Sequence, residues 1–303
     1  MRISKTTLPL LRLMRAGGLN NSVRGLDRVI RGLFPIADQP AGIIEVPYEG
    51  RPYAASPRHY VDWQVLTVGS YEPADLAVFR TLQTHLPKAN VLDIGSNVGH
   101  HAFFFASLGW RVWAFEPNPD LWPIFEAKMK TANLTSVELV KFGLSDKDEA
   151  VLFQVPDAAN SGTGHFVVQS GHANLDGTTL PVRRGDGFIR EVGVDPVDVI
   201  KMDVQGFEPR ALRGLRATLD AFRPIVSVEI GPENRSSLAT LKDLGALLPK
   251  DYVYAHVHQR NFGPLRFPRL EELSPQAFPA LEGNLFCSPA EKMAWMLPAH
   301  QRP

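Results

Sequence analysis

Five carboxylates fall where short apolar runs end. Asp93 lies near the end of Asn90–Ile94, Glu116 just after Arg111–Phe115, Asp146 after Val137–Phe142, Asp203 near the end of Val197–Val204, and Glu229 near the end of Pro224–Ile230. One such acid is readily read as a helix cap. Gathered on one rim, acids repel unless solvent, a cation or hydrogen-bond donors offset their charge, so the set suits a positively charged or hydroxyl-rich ligand. Carboxylates and imidazoles can also take a proton from a reacting hydroxyl. The candidates for that work are Asp203, Glu208, His100, His101 and His165. The tandem histidines read equally well as first-turn helix residues bonded to backbone or water. His165, in Ser161-Gly162-Thr163-Gly164-His165-Phe166, is a candidate substrate contact. A hard cation held by Asp203, Glu208 and Glu229 is an alternative that their spacing does not demand, and no metal is expected.

The turn Asp93-Ile94-Gly95-Ser96-Asn97-Val98-Gly99 narrows the ligand. Gly95 and Gly99 allow close approach of backbone and dihedrals that a side chain forbids. A nicotinamide dinucleotide needs the spacing G-x-G-x-x-G to seat its pyrophosphate. Here Asn97 stands at the second glycine, and Asp93 places negative charge near the phosphates. S-adenosylmethionine carries no phosphate, has a sulfonium and an ammonium, and presents a ribose diol that Glu116 can accept. That cofactor is the expected ligand.

These residues need a scaffold that brings strand ends together. The chain alternates short apolar runs with helical stretches: Glu72–Leu82, His100–Leu108 closed by Gly109, and a helix after Asn118-Pro119 carrying Leu121, Phe125 and Met129, which Pro123 delays or kinks. Strands alternating with helices predict an α/β fold, a doubly wound, mostly parallel seven-stranded Rossmann-like sheet, with ligands outside the carboxyl ends of its strands. Tyr252–Val257 and Asn284–Cys287, with no helical pattern between them, predict an antiparallel edge. An insertion over about 147–195 has β-like alternation. Residues 1–70 read as an N-terminal basic arm and β-like extension, including a run at Val61–Val68, and 71–303 as the main domain.

Composition excludes several classes. With 44% apolar and 21% charged residues the chain is globular, and 32 basic against 32 acidic residues give no general attraction to nucleic acid. A lone Cys287 forms no internal disulfide and suits a reducing, cytoplasmic setting. No apolar run approaches the roughly 18 residues of a membrane span; Ala102–Phe115 is interrupted by Gly109 and Arg111. The first 35 residues set Arg2, Lys5, Arg12, Arg15, Arg24, Arg28 and Arg31 against Asp27 alone. They lack the features of a secretory signal and read as a helix packed on the domain, or as a peripheral contact with anionic lipid.

The segments Val91–Gly99, Phe115-Glu116-Pro117, Leu144-Ser145-Asp146 and Ile200-Lys201-Met202-Asp203-Val204-Gln205-Gly206-Phe207-Glu208 together resemble the FkbM family of methyltransferases. The likeness begins near Tyr71-Glu72-Pro73, and Gln205 stands where glutamate is common. It implies a class I methyltransferase fold and O-methylation of a hydroxyl on a sugar, glycan or secondary metabolite. Carried over by position, Asp93, Gly95, Asn97 and Gly99 shape the methionine and ribose end of the donor site. Glu116 takes the ribose hydroxyls, Ser145 and Asp146 lie near adenine, and Asp203 and Glu208 flank the fourth-strand turn, close to where the methyl group is expected to be exposed. The competing readings are a dinucleotide-dependent oxidoreductase on the same scaffold, and a non-catalytic donor-binding scaffold recruited through the basic arm.

Overall fold

The computed structural model describes residues 2–4, 6, 7, 9, 11, 26–154, 164–166, 178–262 and 265–296. A short helix, α1 (Leu26–Leu33), precedes an antiparallel hairpin of β1 (Ile44–Tyr48) and β2 (Arg51–Ala55). Next comes α2 (Tyr60–Thr67), where the sequence predicts a β-like run at Val61–Val68. Residue type misleads there: Asp62, Trp63, Val65, Leu66 and Thr67 are all buried, and a short run buried on every side carries no period that separates helix from strand. Helix α3 (Pro73–Leu82) has its proline in the first turn, where the missing N–H is not needed.

The main sheet then builds up: β3 (Asn90–Ile94), α4 (His100–Ser107), β4 (Arg111–Phe115), α5 (Trp122–Thr131) and β5 (Val137–Val140). Helix α5 starts late, as Pro123 requires, with Phe125 and Met129 on its buried face. Strand β6 (Gly143–Ser145), just before the insertion, joins β7 (Glu149–Gln154), β8 (His165–Phe166) and β9 (Thr178–Arg184) within it to form a separate four-stranded sheet in the order β6-β9-β7-β8. The insertion ends in α6 (Gly185–Val192), a helix the alternation did not reveal. The chain continues through β10 (Val199–Met202), α7 (Glu208–Gly214), α8 (Arg216–Phe222), β11 (Ile225–Ile230), α9 (Leu241–Gly245), β12 (Tyr252–Phe262), β13 (Leu265–Glu272), β14 (Gly283–Pro289) and α10 (Ala290–Met296).

The main sheet runs β13-β12-β14-β11-β10-β3-β4-β5. Strands β11, β10, β3, β4 and β5 are parallel, and β14, β12 and β13 add an antiparallel edge. The doubly wound α/β architecture is the expected one, with eight strands in place of seven. The extra strand, β13, is charged and contains Pro268, which only an edge position tolerates, so its sequence carries little strand signal.

One apolar cluster joins Val46, Tyr53 and Trp63 of the extension to Phe103, Phe125 and Val91 of the sheet layer. Packing is therefore continuous across residue 70. Within the basic arm, Ile3, Leu11 and Ile30 are buried, and the Ile3 amide donates to Gln39 Oε1 at 2.6 Å. These contacts dock the described part of the arm on the domain; the rest lies outside the described residues. Among the described residues no helix is long and apolar enough to cross a membrane.

Candidate active site

The carboxyl ends of β3, β4, β10 and β11 open into one cleft. Its floor is the turn after β3. The Gly95 and Ser96 amides both donate to Phe115 O at 3.0 Å, tying the turn to β4. Gly95 has φ +80°, and a Cβ there would overlap the carbonyl oxygen of Asp203. The glycine is thus required by the neighbouring strand as much as by any ligand. Gly99 (φ +78°) lies away from the cleft, where a Cβ would meet the Phe125 ring at 2.6 Å. Its role is to seat the turn on α5.

Glu116 lines the cleft, nearly buried, and organises its surroundings. Its Oε2 accepts from the Asn97 amide at 2.9 Å and its Oε1 from the Asn118 amide at 2.8 Å. Burial pushes its carboxyl up to about 7 despite these two bonds. Asn97 (φ +53°) lines the cleft too, with its amide already used.

A second polar group surrounds the end of β10. Gln205 (φ +50°) donates through Nε2 to Asp203 Oδ1 and to Glu229 Oε2, both at 2.8 Å. Lys201 Nζ sits 3.5 Å from Asp203 Oδ2. Burial opposes the Asp203 charge, but Lys201, Glu229 and Gln205 together hold its carboxyl down at about 2. Burial and then the Asp203 charge push Glu229 up to about 10. The pair therefore shares one negative charge at neutral pH, favoured on Asp203, beside Lys201. Lys201 is buried as well, yet Asp203, Asp93, Glu72 and Glu229 outweigh that and keep it protonated, above the usual lysine range.

This distribution has a measurable consequence. A glutamate whose folded-state value is raised binds more protons folded than unfolded, so its share of stability is full below the unfolded value of about 4.5 and is lost as pH rises through about 10. In Glu229→Gln the amide replaces the protonated acid. Between about pH 7.5 and 9.5 the wild-type unfolding free energy should decline with a slope of at most ~1.4 kcal/mol per pH unit from this residue, and the variant should lack that slope. Parallel denaturation curves for both proteins across that window would show that Glu229 is ionised in the folded state.

Several anticipated residues take other places. Asp93 is fully buried beneath the turn, makes no direct hydrogen bond and does not line the cleft; burial raises its carboxyl, partly offset by Lys201. Glu208, expected to face the acceptor, is buried and outside the lining. Its Oε1 accepts from Val204 N at 3.0 Å, and its Oε2 from Gly206 N and Asn234 Nδ2, each at 3.0 Å. It fixes the turn that presents Asp203 and Gln205, because a helix-start carboxylate is the natural acceptor for those amides. Ser145 and Asp146 are also displaced from the lining by Gly143 and Leu144. Ser145 is buried against Asp146, which pairs with Arg210 at 2.8 Å and Arg213 at 3.4 Å. Of the five strand-end acids, Glu116, Asp203 and Glu229 meet in the cleft. His165 pairs with Gln154 in β8, but its side chain lies outside the described residues.

Sequence reasoning missed the opposite wall. His59 and Tyr60 come from the extension, Tyr71 from the approach to α3, and Lys201 from mid-strand. A lysine inside the apolar run Val199–Met202 was a visible anomaly. Nothing local marked His59 or Tyr60, which reach the cleft only because the hairpin packs beside α5. That packing is locked by Lys128, fully buried, whose Nζ donates to Asp62 Oδ1 and to Val98 O, both at 2.7 Å. Tyr53 Oη and the Ser56 amide complete the Asp62 shell at 2.7 and 2.8 Å.

Fold and cleft together define a Rossmann-like α/β protein with a cleft at the carboxyl edge of its parallel strands. Residues 93–254 match the methyltransferase FkbM domain, and the chain belongs to that family. The hexuronic acid methyltransferase AglP of Haloferax volcanii is 32% identical over 154 residues, covering 50% of this chain and 61% of the relative. The 2-O-methyltransferase NoeI of Sinorhizobium fredii is 26% identical over 190 residues, covering 58% of this chain and 78% of the relative. A crystal structure of a methyltransferase FkbM from Methylobacillus flagellatus aligns at 17% identity and a TM-score of 0.41, over 66% of this chain and 43% of that one.

Proposed function

We propose that this protein transfers a methyl group from S-adenosylmethionine to a hydroxyl of a sugar, glycan or secondary metabolite. The observation that carries the reading is the convergence of Glu116, Asp203 and Glu229 with the Gly95–Val98 turn on one cleft. The residues fit that donor. Glu116 is a buried acceptor at the end of β4, suited to a ribose diol, and the Asn97 amide that a phosphate would need is already bonded to it. When bound, S-adenosylmethionine supplies an activated methyl on a sulfonium leaving group. The protein's part is alignment and exclusion of water. Asp203, ionised and held by Gln205 and Lys201, accepts a hydrogen bond from the attacking hydroxyl and takes its proton as the new C–O bond forms. Its low pKa makes it a brief proton holder that returns the proton to solvent.

Glu116 gives the donor reading a pH signature. Below about 7 its carboxyl is protonated and offers fewer acceptor sites, so donor affinity should rise with pH through that value, by no more than tenfold per unit. Glu116→Ala should weaken binding by about 1–3 kcal/mol and flatten the profile. Calorimetric titration with S-adenosylhomocysteine from about pH 6 to 8.5, with a nicotinamide dinucleotide as the control, checks both. A flat wild-type profile removes Glu116 from the ribose contact, and tighter dinucleotide binding overturns the donor assignment.

A further inference from the structure

The wall facing Asp203 is aromatic and uncharged. Tyr60 and Tyr71 meet edge to face at 6.3 Å, and Tyr71 packs likewise against His100 at 5.9 Å. Burial pushes His59 down to about 4 and His100 well below its ordinary value, so both imidazoles are neutral. Neither ring nitrogen of His59 has a hydrogen-bond partner, nor does the Tyr71 hydroxyl among the described residues. Buried groups of this kind await ligands that both donate and accept, as hydroxyls do.

The charges of the cleft are also already matched. Lys201 is the only lysine or arginine lining it among the described residues, and it faces Asp203. Glu229, raised by burial and by the Asp203 charge, holds its proton, and both Glu116 oxygens accept from the Asn97 and Asn118 amides. The stretch 155–163, between the lining residues Phe153 and Gly164, contains neither lysine nor arginine. His101, also in the lining, has its Nε2 taken up by Glu72 Oε2 at 3.2 Å. Among the described residues no unmatched cation is left for an anionic acceptor, and a buried unpaired carboxylate is heavily disfavoured.

We infer that the acceptor is an uncharged, hydroxyl-bearing ring of pyranose type, seated against Tyr60, Tyr71 and His59, and that carboxylate-bearing sugars are excluded. The inference rests on the proposed function and narrows its substrate class. Aromatic faces pack against the C–H face of such a ring, while the free polar atoms fix its hydroxyls. An unmatched charge gives the discrimination.

The test uses the full chain saturated with S-adenosylhomocysteine at neutral pH, titrated with methyl hexopyranosides and the corresponding methyl uronopyranosides in gluco, galacto and manno configurations. At least one neutral glycoside should bind, and its uronate partner should bind at least tenfold more weakly. Tyr71→Phe and Tyr60→Ala should each weaken the neutral ligand several-fold and leave S-adenosylhomocysteine affinity unchanged. Uronates binding as well as or better than their neutral partners, or no neutral glycoside binding to the donor-loaded protein, overturns the acceptor assignment alone. Failure to bind S-adenosylhomocysteine overturns the donor reading, and this assignment with it.

Discussion

Asp203→Asn should lower single-turnover methyl transfer by about 10²–10⁴-fold while moving the donor dissociation constant little, the range for loss of a positioned acid–base group. The asparagine keeps the size of the side chain and an oxygen for the Gln205 amide, which holds Asp203 at 2.8 Å. What it loses is the negative charge beside Lys201, and with it the acceptor for the departing proton. Glu208→Gln separates position from chemistry. Among the described residues Glu208 hydrogen-bonds the Val204 and Gly206 amides and Asn234, so its amide variant should loosen the turn and lower thermal stability, and reduce transfer only as far as Asp203 is displaced. Rapid-quench transfer with labelled donor, measured beside equilibrium binding, distinguishes the two. Wild-type transfer rates in Asp203→Asn would move the proton acceptor elsewhere, with His165 the first candidate to test.

The second large effect is on folding. Lys128→Met should destabilise the protein by about 3–5 kcal/mol, the usual result of removing one partner from a buried ion pair. Burial works against the lysine charge and Asp62 supports it, leaving its pKa below the ordinary lysine value. Removing the ammonium strands Asp62 without its counter-charge and leaves the Val98 carbonyl without its donor. Since Val98 belongs to the turn proposed to hold the donor, binding of S-adenosylhomocysteine should weaken as well. Denaturant unfolding of the two proteins checks the first effect and calorimetry the second. An unfolding free energy within about 0.5 kcal/mol of wild type, the scatter of surface substitutions, would show that the pair does not hold the hairpin in place.

Much of this molecule was legible in one dimension. Apolar runs of four to six residues separated by helical stretches imply a parallel sheet, and β3, β4, β10 and β11 lie where those runs lie. Glu116 and Asp203 follow from the same rule, because a residue at the carboxyl end of a parallel strand is delivered to the ligand edge whatever surrounds it. The two glycines of the donor turn were equally visible, and both have positive φ.

Roles proved less legible than positions. Asp93, Glu208 and Asp146 sit at strand or helix ends as expected, but Asp93 is buried beneath the turn, and hydrogen bonds to Glu208 and ion pairs to Asp146 engage those two outside the cleft lining; no spacing rule encodes such outcomes. The protonation of Glu229 follows from its burial and then from its closeness to Asp203 on the neighbouring strand, the two bridged by Gln205. The wall opposite Asp203 is the extreme case. His59 and Tyr60 precede the donor turn by some thirty-five residues and join it through the buried Lys128–Asp62 pair, itself 66 positions apart in the chain. The sequence by itself determined the strand order's repeating unit, the glycine turn and the acids at the strand ends, because those depend on local periodicity and backbone freedom. The tertiary structure decided which acids face the cleft, which of them keeps a proton and what wall stands opposite, because burial and charge pairing depend on neighbours that only folding brings together.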